Sequence, residues 1–166
     1  MGMVITMVQF PKTKLDEYLN QPENFEKDLN KLESNSIDKS LYLDKSWEGI
    51  HFILTGKRIG EGDEPLALTI YGNQFFDEEQ ELGMGPASYL TPEQVKDISN
   101  RLADFDRNKL MERYTPRKMD QIGIYPVFWS KNSDELFEYI FENFSALQIF
   151  FKDAASKEHA IASYLG

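Results

Sequence analysis

The chain has 166 residues, of which 41% are hydrophobic and 13% aromatic: enough for one folded domain spanning 1–166, and too much for a disordered chain. It has no cysteine, which excludes disulfides, thiolate nucleophiles and zinc–sulfur sites. The formal net charge of −10 argues against a nucleic-acid binder, whose affinity comes from neutralising phosphates, and suits a basic protein partner.

Met3 to Phe10 is rich in β-branched and apolar residues and stops at Pro11, so it reads as a strand. Thr13 then caps a short helix carrying Leu15, Tyr18 and Leu19, and Pro22 restarts a helix through Phe25, Leu29 and Leu32. Ser34-Asn35-Ser36 ends it. The segment Leu43 to Gly56 reads as a helix, with Asp44 or, preferably, Ser46 as N-cap, Gly56 just past its end, and Trp47, Ile50 and Leu54, joined by His51, on one face. A charged loop with Gly60 and Gly62 leads to Pro65, which opens a short helix over Leu66 to Tyr71, with a strand as the alternative. Leu82 to Leu90 reads as a second strand region.

Thr91-Pro92-Glu93-Gln94 is a strong helix start, with Val95, Ile98, Leu102 and Phe105 forming the apolar stripe. Asp106 to Tyr114 is a further short helix, and Thr115-Pro116 repeats the start signal. Ile122 to Trp129 reads as extended, with Pro126 limiting it to an edge or a turn. Ser133-Asp134-Glu135 caps the longest helix, whose Leu136, Ile140, Phe144, Leu147, Phe151 and Ala154 mark it as the central core helix. Ala160 to Leu165 is a terminal strand. The pattern predicts an α+β fold: a small mixed or antiparallel sheet packed by several helices, including one long C-terminal helix.

The N-terminus has no basic region and no small-residue cleavage site, and no apolar run approaches the ~18 residues of a membrane span. A soluble, cytoplasmic protein is expected. Between Arg101 and Lys118 six bases face three acids, and this local excess reads as a solvated helix face.

The residues offer little for chemistry. His51 and His159 are the two histidines, and neither sits in a metal-ligand spacing. Asp77-Glu78-Glu79-Gln80-Glu81 lacks the spacing of a calcium loop and reads as an acidic turn. No nucleophile elbow, phosphate loop or dinucleotide fingerprint is present, so no metal and no cofactor is expected. Asp44 and Glu48 are spaced as a pair of carboxylates, but a structural role is favoured for them. His51 has a pKa suited to a general base, yet an aromatic contact with Trp47 four residues earlier explains it. Tyr125, Phe128 and Trp129 suit a pocket, an interface or the core, with core packing favoured.

Four segments, taken together, resemble the YfbM-like family of bacterial proteins: Met1-Gly2-Met3, Leu43 to Gly56 with its Trp47, Ile50, His51, Leu54 and Thr55, Tyr89 to Val95, and Ile124 to Trp129. They span the chain in the family's order. The resemblance implies a cytoplasmic α+β domain of unknown function and supplies no catalytic residue or cofactor. It marks Asp44, Lys45, Trp47, His51, Thr55, Gly56, Tyr125, Pro126 and Trp129 as residues of the family pattern.

The reading therefore leans away from an enzyme. The leading expectation is an acidic interaction protein, immunity- or antitoxin-like, that masks a basic partner. The alternative is a small-molecule-binding protein or small enzyme whose pocket joins the 44–56 and 124–129 motifs through Asp44, Lys45, Trp47, His51, Thr55, Tyr125 and Trp129. A homodimer built on an exposed aromatic patch is a third expectation.

Overall fold

The two ends of the chain make the centre of the sheet. Ile5–Pro11 (β1) pairs along its whole length with His159–Leu165 (β4), from Ile5 opposite Leu165 to Pro11 opposite His159. Ser40–Tyr42 (β2) joins the free edge of β1, and Ser88–Leu90 (β3) that of β4. The order is β2-β1-β4-β3, antiparallel throughout. The structure is a computed structural model that describes residues 2–33 and 39–166, so the helix stop expected at Ser34-Asn35-Ser36 lies outside the described residues.

Seven α-helices accompany the sheet among the described residues: Lys12–Asn20 (α1), Glu23–Leu32 (α2), Trp47–Thr55 (α3), Pro92–Leu102 (α4), Arg107–Arg113 (α5), Pro116–Ile122 (α6) and Ser133–Ser156 (α7). The predicted α+β class with a long C-terminal helix is what the chain adopts. No helix among the described residues is long and apolar enough to cross a membrane.

Side chains alternate across a strand, and here both faces are covered. Val8, Phe10, Ala160 and Ala162 face α1, α2 and the loop around Phe76. Phe10, Tyr18, Phe25 and Phe76 pack ring against ring there, with Phe10–Tyr18 edge-on at 5.1 Å and Phe25–Phe76 at 4.9 Å. Ile5, Met7 and Ile161 face the larger core beneath α3, α4 and α7. α7 packs along α4, and Gln148 donates to the carbonyls of Leu102 (2.7 Å) and Phe105 (2.9 Å). A side chain from the core helix thus satisfies acceptors left open at the end of α4.

Several local expectations are corrected. α1 begins at Lys12, directly after Pro11, with no side-chain cap from Thr13. Ser46 precedes α3 but does not cap it; its hydroxyl is buried and donates to the Leu43 carbonyl at 2.6 Å. After Pro65 only one 3-10 turn forms, Pro65–Leu68. The strand expected from Leu82 shrinks to Ser88–Leu90, because Gly83 (φ 72°) and Gly85 (φ 120°) turn the chain around the end of β4. A Cβ at Gly83 would stand 2.8 Å from the Leu165 carbonyl oxygen. The basic stretch is not merely a solvated face. Arg107 pairs with Glu138 and lies over Phe137 and Phe141, Lys109 lies over Phe105, and Arg113 donates to the Ile53 and Leu54 carbonyls.

The helix start at Thr91 forms as expected. Its side chain accepts from the Gln94 amide at 3.3 Å, and the Gln94 side chain accepts from the Thr91 amide at 2.9 Å. Thr91→Ala should cost about 1 kcal/mol in urea denaturation; an unchanged midpoint would show that the box contributes nothing.

Candidate functional site

α3 carries the first motif into the middle of the molecule. Trp47 through Leu54 are all buried, so the helix has no solvent face and the expected single stripe is in fact a core helix. Gly49 explains part of this. A Cβ there would stand 2.7 Å from the Trp129 ring and 3.0 Å from Ile140, so a glycine inside the helix makes room for the tryptophan of the second motif.

The family-marking segments meet here. Trp47 stacks on Tyr125 with centroids 5.6 Å apart and planes 24° from parallel. The Trp47 indole donates to the Met3 carbonyl at 3.0 Å, and the Met3 amide donates to the Tyr125 hydroxyl at 2.9 Å. Glu48, 2% exposed, accepts from the Tyr125 amide at 2.8 Å, from the Arg58 guanidinium at 3.4 Å and from the Ile59 amide at 3.5 Å. A buried carboxylate is tolerable when it is paired and hydrogen-bonded in this way. The sequence reading placed Glu48 beside Asp44. The structure separates their partners, because Asp44 accepts from the Tyr139 hydroxyl on α7 at 2.7 Å. Burial and Asp44 together hold the Tyr139 phenol well above its usual range.

His51 is fully buried and its Nε2 lies 3.0 Å from the Arg58 carbonyl. A carbonyl only accepts, so the proton sits on Nε2 and the lone pair on Nδ1. That Nδ1 has no partner and no solvent. Burial pushes the His51 pKa below its ordinary 6.5. A general base must reach the proton it removes, and this lone pair is enclosed by protein. Thr55 closes the helix end, donating to the His51 carbonyl at 2.8 Å and accepting from the Lys57 amide at 3.0 Å. Lys45 is exposed, and its backbone amide donates to the Tyr139 hydroxyl at 3.1 Å.

Of the seven expected pocket residues, Trp47, Tyr125 and Trp129 come together around Glu48 and Gly49. His51 and Thr55 face the loop after α3, and Asp44 and Lys45 meet α7. Cavities of about 590, 430, 420 and 370 Å³ open elsewhere and are lined by other residues. Among the described residues no group of three or more His and carboxylate side chains is arranged to hold a metal.

The outer side of the second motif differs from the inner side. Ile124 to Trp129 is a turn rather than the extended segment expected, and its Tyr125–Pro126 bond is cis. Asp120 holds the turn: its carboxylate accepts from the Trp129 amide (2.7 Å), the Ser130 amide (3.0 Å) and the Ser130 hydroxyl (2.6 Å). The Trp129 indole donates to the Ile124 carbonyl at 2.9 Å. With Tyr125 and Trp129 anchored inside, Val127 and Phe128 are pushed out, 50% and 44% exposed. Val127 has φ 64°, a conformation rare for a β-branched residue. Phe128, expected to pack in the core with Tyr125 and Trp129, is therefore a surface residue. The only sequence signal for Val127 and Phe128 was position, next to a proline between two anchors.

The architecture defines a class: an α+β domain with a four-stranded antiparallel sheet, a buried helix behind it and a motif-built knot joining that helix to the N-terminus. A crystal structure of a protein of unknown function, YfbM from Escherichia coli, has the same fold, with a TM-score of 0.78 over 98% of this chain and 99% of that chain. The identity in that superposition is 19%. Residues 1–164 match the family described as "Domain of unknown function (DUF1877)", and the chain belongs to that family. Protein YfbM of Escherichia coli (strain K12) is 27% identical over 131 residues, covering 76% of this chain and 74% of that protein. The YfbM-like resemblance read from the motifs therefore holds.

Two measurements check this geometry. Gly49→Ala should destabilise by about 1–3 kcal/mol through overpacking against Trp129, although alanine is the better helix former; equal or greater stability would mean the contact is slack. The folded His51 resists a proton that the unfolded chain takes up near ~6.5, so the unfolded state binds more protons below that pH. Stability should be fully present above that value and fall as pH drops through it. His51→Gln, which keeps a donor for the Arg58 carbonyl, should flatten that slope in urea titrations between pH 7 and 5. An unchanged slope would assign the sensitivity to other groups.

Proposed function

We propose that the protein is a soluble, cytoplasmic, non-enzymatic interaction domain that docks a basic protein partner, in the manner of an immunity protein or antitoxin. The observation that carries this reading is the turn at Val127 and Phe128. An aromatic and a branched apolar side chain stand out from a backbone clamped by Asp120 and Glu48. Exposed aromatics on a rigid support are the usual anchors of interfaces, since little side-chain freedom is lost on binding. The positive φ of Val127 costs of order 1–3 kcal/mol, a strain of the kind that collects at functional positions. The net charge of −10 adds long-range attraction for a basic partner.

The pocket alternative has less support. The Trp47 indole is bound to the Met3 carbonyl, the Tyr125 hydroxyl to the Met3 amide and the Trp129 indole to the Ile124 carbonyl, so these polar atoms already have partners within the protein.

The test is capture of a partner at low salt from a lysate of the source cell, followed by calorimetry on the isolated pair. Phe128→Ala should weaken binding at least about tenfold while leaving thermal stability unchanged. Val127→Gly should stabilise the free protein by about 1 kcal/mol and also weaken the complex. Recovery of no partner, or full affinity in Phe128→Ala, would overturn the proposal. A doubled mass in light scattering that Phe128→Ala abolishes would replace the basic partner with a second copy of the chain.

A further inference from the structure

An acidic protein would be expected to show acidic cavities, and the cavity of about 590 Å³ does not. It lies at one end of the sheet, where four separate elements each bring a lysine: Lys14 on α1, Lys31 on α2, Lys39 ahead of β2 and Lys157 after α7. Among the described residues Asp28 is the one carboxylate in its lining. The volume falls within the ~300–1,000 Å³ typical of small-molecule sites.

The internal pairing leaves two of these charges unspent. Lys14 is bound to Glu17 (2.9 Å) and Asp28 (3.1 Å), and Lys157 to Asp153 (2.8 Å). Asp28 also accepts from the Tyr18 hydroxyl at 2.8 Å, so much of its acceptor capacity is already used. Lys31 and Lys39 make no side-chain hydrogen bond or ion pair among the described residues. Both line the same cavity, and Lys31 is within electrostatic reach of Asp28 in its wall.

His159 adds a directional group. Gln9, 2% exposed, is oriented by its neighbours: its amide nitrogen donates to the Asp153 carboxylate at 3.0 Å, which leaves its oxygen to accept from His159 Nδ1 at 2.9 Å. Neutral His159 therefore carries its proton on Nδ1, and its Nε2 has no partner among the described residues. Phe10, Pro11 and Leu32 complete the lining with apolar surface.

We propose that this cavity binds a small phosphate-bearing molecule, with Lys31 and Lys39 on the phosphate and the apolar part of the ligand against Phe10, Pro11 and Leu32. Lysine ammoniums are compact point charges with rotatable donors, and several of them converging from different directions suit a tetrahedral oxyanion. The lining contains no arginine, whose flat fork would favour a planar carboxylate. The inference uses none of the residues of the Val127–Phe128 turn and stands or falls apart from the interaction reading.

The probes are inorganic phosphate, phenyl phosphate and benzoate, titrated into the ¹⁵N-labelled full chain at constant ionic strength. Both phosphate probes should give saturable shifts at Gln9, Lys31, Lys39 and His159, with phenyl phosphate the tighter of the two and benzoate weaker than it. Lys31→Ala combined with Lys39→Ala should weaken phenyl phosphate at least about tenfold. Both lysines are exposed, so the double variant keeps the fold, which its amide spectrum will verify. Lys152→Ala, on a different cavity, should bind as the parent does. Absence of saturation, equal binding by the double variant, or benzoate matching phenyl phosphate would each overturn the proposal.

Discussion

A helix buried all along its flank has no water beside it, and from Trp47 to Leu54 α3 is such a helix. Its buried polar groups must therefore turn to protein, and of its buried side-chain atoms all but His51 Nδ1 find a partner there. Glu48 accepts from the Tyr125 amide, His51 Nε2 donates to the Arg58 carbonyl and the Arg113 guanidinium donates to the Ile53 and Leu54 carbonyls, while Thr55 and Gly56 close the helix end locally. The outside partners come from different parts of the chain. Burying α3 therefore fixes the loop after it, α5 and the Ile124–Trp129 turn at the same time. The tryptophans are placed by the same requirement: Trp129 needs the bare backbone of Gly49, and Trp47 needs Tyr125 and Met3.

The sheet gives this core its wall. Because β1 and β4 come from opposite ends of the chain, the sheet closes only when nearly all of the chain is in place. Its two faces then do different work. The face under α3, α4 and α7 holds the family motifs in tight packing. The other carries the aromatic cluster of Phe10, Tyr18, Phe25 and Phe76, and the lysine-lined cavity opens near its edge.

The exposed Val127–Phe128 turn lies inside a family-marking segment, Ile124 to Trp129, whereas the lining of the lysine-rich cavity draws on none of those segments. The positive φ of Val127 is a cost to the isolated fold. Lys31 and Lys39 are exposed and make no ion pair among the described residues. Trp47, Glu48, Tyr125 and Trp129, by contrast, are engaged with one another and with their neighbours by packing and hydrogen bonds.

Much of the architecture was legible in the sequence. A β-branched, apolar run stopping at Pro11 placed β1, and period-3.6 stripes placed α2, α4 and α7, because a helix must repeat its core residues at the spacing of its own geometry. Thr91-Pro92-Glu93-Gln94 specified its cap because every atom of that motif is local. The YfbM-like family was also readable from the four motifs alone. Whatever depends on distant residues was not. Ser46 looked like a cap until the Leu43 carbonyl took its hydroxyl, and Ile122–Trp129 looked extended until Asp120 and Glu48 took its amides. His51 had the pKa of a possible base beside its favoured structural role, and only the fold shows its lone pair enclosed. The cavity lysines, at positions 14, 31, 39 and 157, share no motif, and only the meeting of four elements puts their charges around one space. By itself the sequence determined the elements, the class and the family, since these rest on local periodicity and short motifs. The tertiary structure decided which polar groups are spent inside and which are left to act, since that depends on partners far away along the chain.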